Sequence, residues 1–552
     1  MTIIDALDAH ASSGPDRPFL RVLKEGTDRA ISFGELRREA LRYGAFFNSL
    51  GLPKGAVVFI VLQHGADLYF SFLGAMYAGL IPSFLPFPTP KQDVELYWSS
   101  HRTLFHRVEP GAILTYDANR DALVGACSGL GTRILLNRAV SAFEPLTEFA
   151  APAPEDVALL QHSSGTTGLK KGVMLTFAQI DLQACSYGRR LSFTPDDVVV
   201  SWLPLYHDMG LLSSFLIPLT LGGMVVSLDA FEWVGKPKLF LDAIETYGGT
   251  LAWMPNFAFA HQARLKPVGT LPDLGSMRAF ISCSEPCKAE TMEAFVAAFE
   301  GAGVRPESVQ ACYAMAETVF AVSQSKLGAV QRVTAIAGEA YERNGGIEPT
   351  DHDAAGARLF ASNGTPIDGI EVGLRQDGGV MFWREDATSD RAGEIVVRGP
   401  FVFERYYKNE ESTRDAIRDG WYGTGDIGFF ESGEVFICGR TKELLIVHGR
   451  NYYATDIESI VNGVDGIKPG RVVAFALYDS RTQSEEAIVV VESEMDEALW
   501  TGLKRSVKAA VFDRLELTLQ SVKVVRPGWL VKTTSGKISR KDNVGRYQAQ
   551  LA

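Results

Sequence analysis

Cysteine is scarce: six residues in a chain of 552. That is too few for a disulfide framework at this length. The one close pair, Cys283 and Cys287, has no second pair to complete a four-ligand zinc site. Reduced, mostly buried thiols in a cytoplasmic setting are expected. An excess of basic residues is also missing. Lys plus Arg number 54 against 66 Asp plus Glu, a formal charge of −12. This excludes a dedicated nucleic-acid binder, which carries a basic face, but leaves room for a small basic pocket. Unbroken apolar runs are absent too. Residues 68–90 carry no charge but contain Pro82, Pro86, Pro88 and Pro90, and residues 209–228 contain Pro218 and Gly222-Gly223. Such breaks argue against a membrane span. The opening MTIIDALDAHASSGPDRPF has acids where a signal peptide needs bases. Repeats and low-complexity tracts are lacking. What is present, 46% hydrophobic and 22% charged residues, is the composition of a globular chain with more than one core.

The first half alternates two periods. ISFGELRREALRYGAFFNSLG (31–51) has helical spacing and closes at Gly51, while AVVFIVL (56–62) is a short β-branched run suited to a strand buried on both faces. The alternation continues through DLYFSFLGAMYAG, IPSFLPF, TRILLN, GGMVVSL, GGTLAWM and MRAFISC. It predicts α/β layers around a largely parallel sheet. After about residue 360 short strands with Gly turns take over, and after Arg440 a compact strand/helix mixture follows. The expected organisation is a large N-terminal unit over 1–439, its part from about 360 β-rich, and a small C-terminal α+β unit over 440–552.

The densest chemical signal is HSSGTTGLKKGVML (162–175) between two apolar runs. Gly165, Gly168 and Gly172 relax the backbone; Ser163, Ser164, Thr166 and Thr167 offer hydroxyls; Lys170 and Lys171 offer charge. Such a loop can wrap phosphates with backbone N–H groups. It is not a Walker A loop, because the G-x-x-x-x-G-K-[ST] spacing fails and a strand rather than a helix follows. Asp426 lies in GTGDIG, a formal G-x-G-x-x-G match, yet strand-like FFESGEVFIC follows it, which rejects a dinucleotide fingerprint. A carboxylate here can instead accept from both hydroxyls of a ribose.

This loop resembles the phosphate loop of the adenylate-forming superfamily, which comprises acyl-CoA synthetases, fatty acyl-AMP ligases, luciferases and peptide-synthetase adenylation domains. Further motifs resemble that superfamily in order: WLPLYHDMGL (202–211), SCSEP (282–286), YAMAET (313–318), GWYGTGD (420–426), GRTKELLIVHGRNYYATDIE (439–458) and TTSGKISR (533–540). The resemblance implies ATP and Mg²⁺ as cofactors. It assigns ATP to the loop 163–168 with Lys171, to Ser284, Glu285 and Pro286, and to Tyr313, Ala314, Met315, Asp426 and Arg440. Glu317 and Thr166 are implied as metal ligands and Thr318 as an α-phosphate contact. Lys537 is the implied catalytic ammonium, and Lys442 the hinge about which the C-terminal unit swings.

Within the superfamily the chain is most similar to fatty acyl-AMP ligases. YHDMGL, MPNFAFAHQAR (254–264), a separation of about 40 residues between Ser323 and GTPIDGIEV, and HGRNYYATDIE carry this likeness. The phosphate loop keeps the general superfamily form, and Ala314 and Met315 replace the commoner Gly-Leu. The branch implies an apolar acid in a tunnel lined by Trp202, Met209, Met254, Phe257 and Ser282, with His207 as a gate. An acyl carrier protein is the implied acceptor. CoA as acceptor, an amino-acid substrate held by Asp208, and a non-catalytic scaffold are the alternatives.

Overall fold

The computed structural model describes residues 1–89, 94–163, 171–265, 271–447, 450–479, 484–532 and 537–550. A nine-stranded sheet forms its centre. Six neighbouring strands run parallel, in the spatial order Pro18–Lys24, Met224–Leu228, Val198–Ser201, Leu251–Met254, Ala279–Ser282 and Val309–Ala314. Thr27–Ser32 closes one edge antiparallel, and Ala321–Gln324 with Thr365–Pro366 closes the other. Four of the inner strands, Val199 to Ser201 and the runs LAWM, AFIS and VQACY among them, are buried almost throughout, as continuous apolar strands between helical layers should be. A second, all-parallel sheet comprises Ile81–Phe84, Val57–Ile60, Ala112–Thr115 and Arg133–Leu136.

The helix expected over 31–51 spans Phe33–Asn48. Ile31 and Ser32 belong to the preceding strand, and the Ser32 side chain accepts from the amide of Glu35, a cap that fixes the start. Gly51 lies beyond the end, with φ 61°. The stretch 209–228 is helix, turn and strand, as its breaks predict. Met209–Leu216 is nevertheless a π-helix, followed by Ile217–Leu221, a left-handed Gly222 and the strand Met224–Leu228. Among the described residues no helix is long and apolar enough to cross a membrane. All six cysteines are free thiols, with Cys127, Cys283, Cys312 and Cys438 buried.

Residues 371–440 form an antiparallel sheet in which Trp421–Glu431 pairs with Gly393–Arg398 and with Glu434–Arg440. A separate apolar core draws on Leu445 to Val524 alone. The helices Ala454–Asn462 and Trp500–Leu515 pack there on the sheet Val472–Asp479, Ser484–Glu492 and Ser521–Val525. The long span after Ser323 is structured. Val333–Ala337 and Ala357–Ala361 pair antiparallel around the helix Gly338–Asn344. Ile336, Tyr341 and Ile347 pack against Phe429, Phe436 and Tyr453. Glu342, 3% exposed, accepts from Arg358 of the same span and from Arg450 at 2.5 Å.

Candidate active site

Parallel sheets place ligand sites beyond the carboxyl ends of their strands. The candidate residues cluster there. Ser282 ends one strand, and Ser284 to Pro286 follow it. Tyr313 and Ala314 end the next, and Glu317 and Thr318 follow in a short 3-10 turn. The turn is closed by backbone bonds from Met315 to Phe320 (2.9 Å) and from Val319 to Ala316 (3.0 Å). Val319 sits at φ 63°, ψ −58°, a region that costs a β-branched residue about 1–3 kcal/mol. This strain fixes the direction of the two side chains before it. Glu317 is 8% exposed and Thr318 fully buried. The Thr318 hydroxyl donates to the carbonyls of Phe320 (2.8 Å) and Met315 (3.1 Å), so it braces its own turn, a use that the YAMAET motif did not suggest.

Asp426 lies directly opposite Arg440 on paired antiparallel strands, a register that the β-hairpin 421–440 imposes. Arg440 Nε donates to Asp426 Oδ1 at 3.1 Å, and the Tyr313 hydroxyl donates to Oδ2 at 2.6 Å. Burial pushes the Asp426 carboxyl up, with the Arg440 charge opposing. The Asp426 charge in turn raises Arg440. The resemblance assigned Tyr313 to ATP; the structure adds that its hydroxyl donates to the neighbouring Asp426 carboxylate.

WLPLYHDMGL turns sharply after the strand Val198–Ser201. A Cβ at Gly210 would meet the Pro204 carbonyl oxygen at 2.3 Å, so only glycine fits. Asp208 caps the π-helix by accepting from the Met209 amide at 2.8 Å, and its Oδ1 lies 2.6 Å from His207 Nδ1. Burial alone would raise Asp208, but His207, the Met209 amide and the Lys537 charge outweigh it and hold the carboxyl below its usual value. His207 Nδ1 is thus tied to its neighbour's carboxylate. Trp202, Met209, Met254 and Ser282 are 5% exposed or less. Trp202 stacks on Trp233 with centroids 3.6 Å apart. Phe257, in contrast, is 46% exposed, and its amide donates to Glu285 at 3.1 Å. The Ser282 hydroxyl takes a contact from Cys287 Sγ at 3.4 Å.

Lys537 reaches this cluster from the other end of the chain. Its Nζ donates to the Ser284 carbonyl at 3.0 Å. Ser284 holds φ 66°, and its hydroxyl lies 3.9 Å from Met209 Sδ. Lys442 sits in the short turn Thr441–Glu443 between the strands that end the antiparallel sheet and begin the C-terminal core. The loop assigned to phosphate, Ser164 to Gly168 with Thr166 and Thr167, lies outside the described residues, as does the Ser163 side chain. Its flanks are described. Val157–Ser163 and Lys171–Thr176 form an antiparallel hairpin in which Ser163 faces Lys171. Lys171 Nζ stands 4.7 Å from the centre of the Tyr406 ring, and burial lowers its pKa. The Tyr406 hydroxyl donates to Glu317 Oε1 at 2.9 Å. Tyr406 was not picked out in the sequence.

Burial raises the Glu317 carboxyl above its usual range, with Tyr406 opposing and the Asp208 charge adding. A buried carboxylate that desolvation disfavours more than its neighbours stabilise it is suited to a hard divalent cation. The described residues therefore bring the paired carboxylate of Asp426, the buried carboxylate of Glu317 and the ammonium groups of Lys171 and Lys537 into one electrostatically linked cluster.

A family model described as AMP-binding enzyme matches residues 7–407. The long-chain-fatty-acid–AMP ligase FadD26 of Mycobacterium marinum is 30% identical over 90% of this chain and 88% of its own. The medium-chain fatty acid–acyl-carrier-protein ligase JamA of Moorena producens is 28% identical over 98% and 94%. A solved fatty acyl-adenylate ligase, from a study of the E. coli and L. pneumophila enzymes, superposes with a TM-score of 0.90 at 25% identity over 100% of this chain and 98% of that one. With a family match over most of its length, the chain belongs to the AMP-binding enzyme family and is an adenylate-forming ligase of its fatty acyl-AMP branch.

Proposed function

We propose that the enzyme activates a fatty or other apolar carboxylic acid with ATP and Mg²⁺, then passes the acyl group to the phosphopantetheine thiol of an acyl carrier protein in the cytoplasm. The observation that carries the first half is the seat of Lys537, whose ammonium donates to the Ser284 carbonyl and whose charge acts on the buried Asp208. An acid carboxylate oxygen attacks the α-phosphorus, the bond to the β-phosphate oxygen breaks, and pyrophosphate leaves. Both partners are anions, so the protein's task is to neutralise and align them. Lys537 supplies positive charge between them. Asp426, held by Tyr313 and Arg440, accepts the ribose hydroxyls. Glu317 would hold magnesium, which neutralises phosphate charge when bound. Phe257 presents the apolar face that receives the acid's tail, packed against the stacked Trp202 and Trp233 rings.

The transfer step rests on the anchored span 325–362. Its apolar packing on Tyr453 and its Glu342–Arg450 pair hold the C-terminal unit to the β-rich one. Such an anchor restricts the swing about Lys442 by which a free thiol carrier as small as CoA would be served, and favours a protein-borne arm. The name of JamA, a fatty acid–acyl-carrier-protein ligase, supports the same acceptor class. The test is pyrophosphate release with a panel of acids, followed by loading onto a holo-carrier or CoA. Release that depends on an apolar acid and loading of the carrier are expected. Loading of CoA with equal efficiency overturns the acceptor, and nucleotide binding without pyrophosphate release overturns the reaction.

A further inference from the structure

The reaction as derived gives the Tyr406 hydroxyl no task. Tyr406 is 4% exposed. Its segment laces two parts of the site together. Val173 and Tyr406 form an antiparallel bridge, and Tyr407 donates its amide to the Gly172 carbonyl at 2.8 Å. On the other side, the Phe403 amide donates to the Glu317 carbonyl at 2.7 Å. The side chain repeats the link. Its hydroxyl meets Glu317 Oε1 at 2.9 Å, and the Lys171 ammonium lies over its ring at 4.7 Å. Phe403 and Thr413 fix the ring from behind: the Phe403 ring centre is 4.6 Å away, and the Thr413 hydroxyl accepts from the Tyr406 amide at 3.0 Å. One rigid side chain thus sets the separation of a carboxylate and an ammonium from two different loops.

We propose that Tyr406 is a positioning residue for nucleotide binding: by one hydrogen bond and one cation–π contact it holds the Glu317 carboxylate and the Lys171 ammonium at a fixed spacing around the magnesium-bound triphosphate. This rests on the adenylation reading above. A tyrosine that only filled the core would serve stability alone; its hydroxyl would not be turned to the carboxylate that the metal needs, nor its face to the exit lysine of the phosphate loop. A hydrogen bond to a charged group and a desolvated cation–π contact each contribute measurably to alignment.

The experiment is isothermal titration of ATP, with magnesium and with EDTA in its place, into the full-length protein and into Tyr406→Phe, Glu317→Gln and the double variant. Tyr406→Phe keeps the ring and the packing. Its affinity for Mg·ATP is expected to fall roughly tenfold, with little change in EDTA. In the Glu317→Gln background the same substitution is expected to have no further effect, because the group it acts through is gone. Tyr406→Leu, which also removes the ring beneath Lys171, is expected to lose more, and the Phe variant to recover part of that loss. An equal loss in both backgrounds, or a lowered melting temperature with unchanged Mg·ATP affinity, overturns the proposal. Failure of the unaltered protein to bind Mg·ATP at all overturns the adenylation reading itself.

Discussion

The ammonium of Lys537 donates to the carbonyl oxygen of Ser284 at 3.0 Å across 253 residues of chain. This bond joins the end of the small C-terminal unit to a left-handed residue beyond the carboxyl end of an inner strand of the central sheet. A unit charge about 4 Å from an anion is worth about 4 kcal/mol at intermediate dielectric. Lys537→Ala is therefore expected to slow acyl-adenylate formation by roughly three powers of ten. Transfer from a supplied acyl-adenylate should be nearly unaffected. Pyrophosphate exchange set beside carrier loading separates the two, and near-normal exchange would remove Lys537 from the reaction.

Glu317 carries a cost in the free enzyme. Its folded pKa is raised by burial above the roughly 4.3 of an exposed glutamate. The folded state thus binds more protons than the unfolded one between those two values, and stability falls as pH rises through the folded pKa. At pH 7 burial of this carboxyl therefore opposes folding. Glu317→Gln should raise the melting temperature at pH 7, and the gain should vanish near pH 4, where glutamate is protonated. The same variant should bind Mg·ATP weakly. A lowered melting temperature at pH 7 would contradict the sign.

Glu342 binds two arginines with 3% of its surface exposed. Removing Glu342 takes away the ion-pair partner of Arg358 and leaves Arg450 with Glu516, at roughly 3 kcal/mol. Glu342→Ala should therefore release the strands Leu444–Val447 and Arg450–Tyr453 from the span 325–362, speeding their amide hydrogen exchange at least tenfold. If the anchor also decides the acceptor, measurable loading of CoA appears alongside. Unchanged exchange in those strands would show that the apolar contacts of Tyr341 and Tyr453 suffice.

Phe257 exposes 46% of its surface beside the Ser284–Pro286 turn, unlike its buried neighbours Trp202 and Met254. Removing an apolar face of this size forfeits roughly 1.5 kcal/mol of contact with an apolar tail. Phe257→Ala is expected to raise the KM for the acid about tenfold and leave that for ATP unchanged. Equal effects on both would place Phe257 outside the acid pocket.

Much of this arrangement was legible before the fold was known, and the reasons differ by element. Short β-branched runs read correctly as parallel strands because burial on both faces leaves a continuous apolar signature. The hairpin around the phosphate loop followed from the strand-like runs on either side of it. The antiparallel pairing that sets Asp426 against Arg440 had only a motif likeness behind it, since register is fixed across strands and not along them. The π-helix at 209–216 has no marker in MGLLSSFL; the capping carboxylate of Asp208 and the close passage of Gly210 past Pro204 set its start, and both are tertiary facts. The helix 338–344 and its flanking strands were hidden because a long separation says only that something intervenes. Tyr406 was invisible for a similar reason: FERYYKN reads as a surface turn until Val173 pairs with it.

Val319 has a consequence for how this enzyme can change. A valine forced to φ 63° is a conformational liability that glycine would relieve. Relief would come with a slacker backbone between Met315 and Phe320, and the aim of Glu317 would loosen with it. Selection for thermal robustness and selection for turnover therefore pull this codon in opposite directions, which makes the position a sensitive gauge of the pressure under which a descendant has evolved.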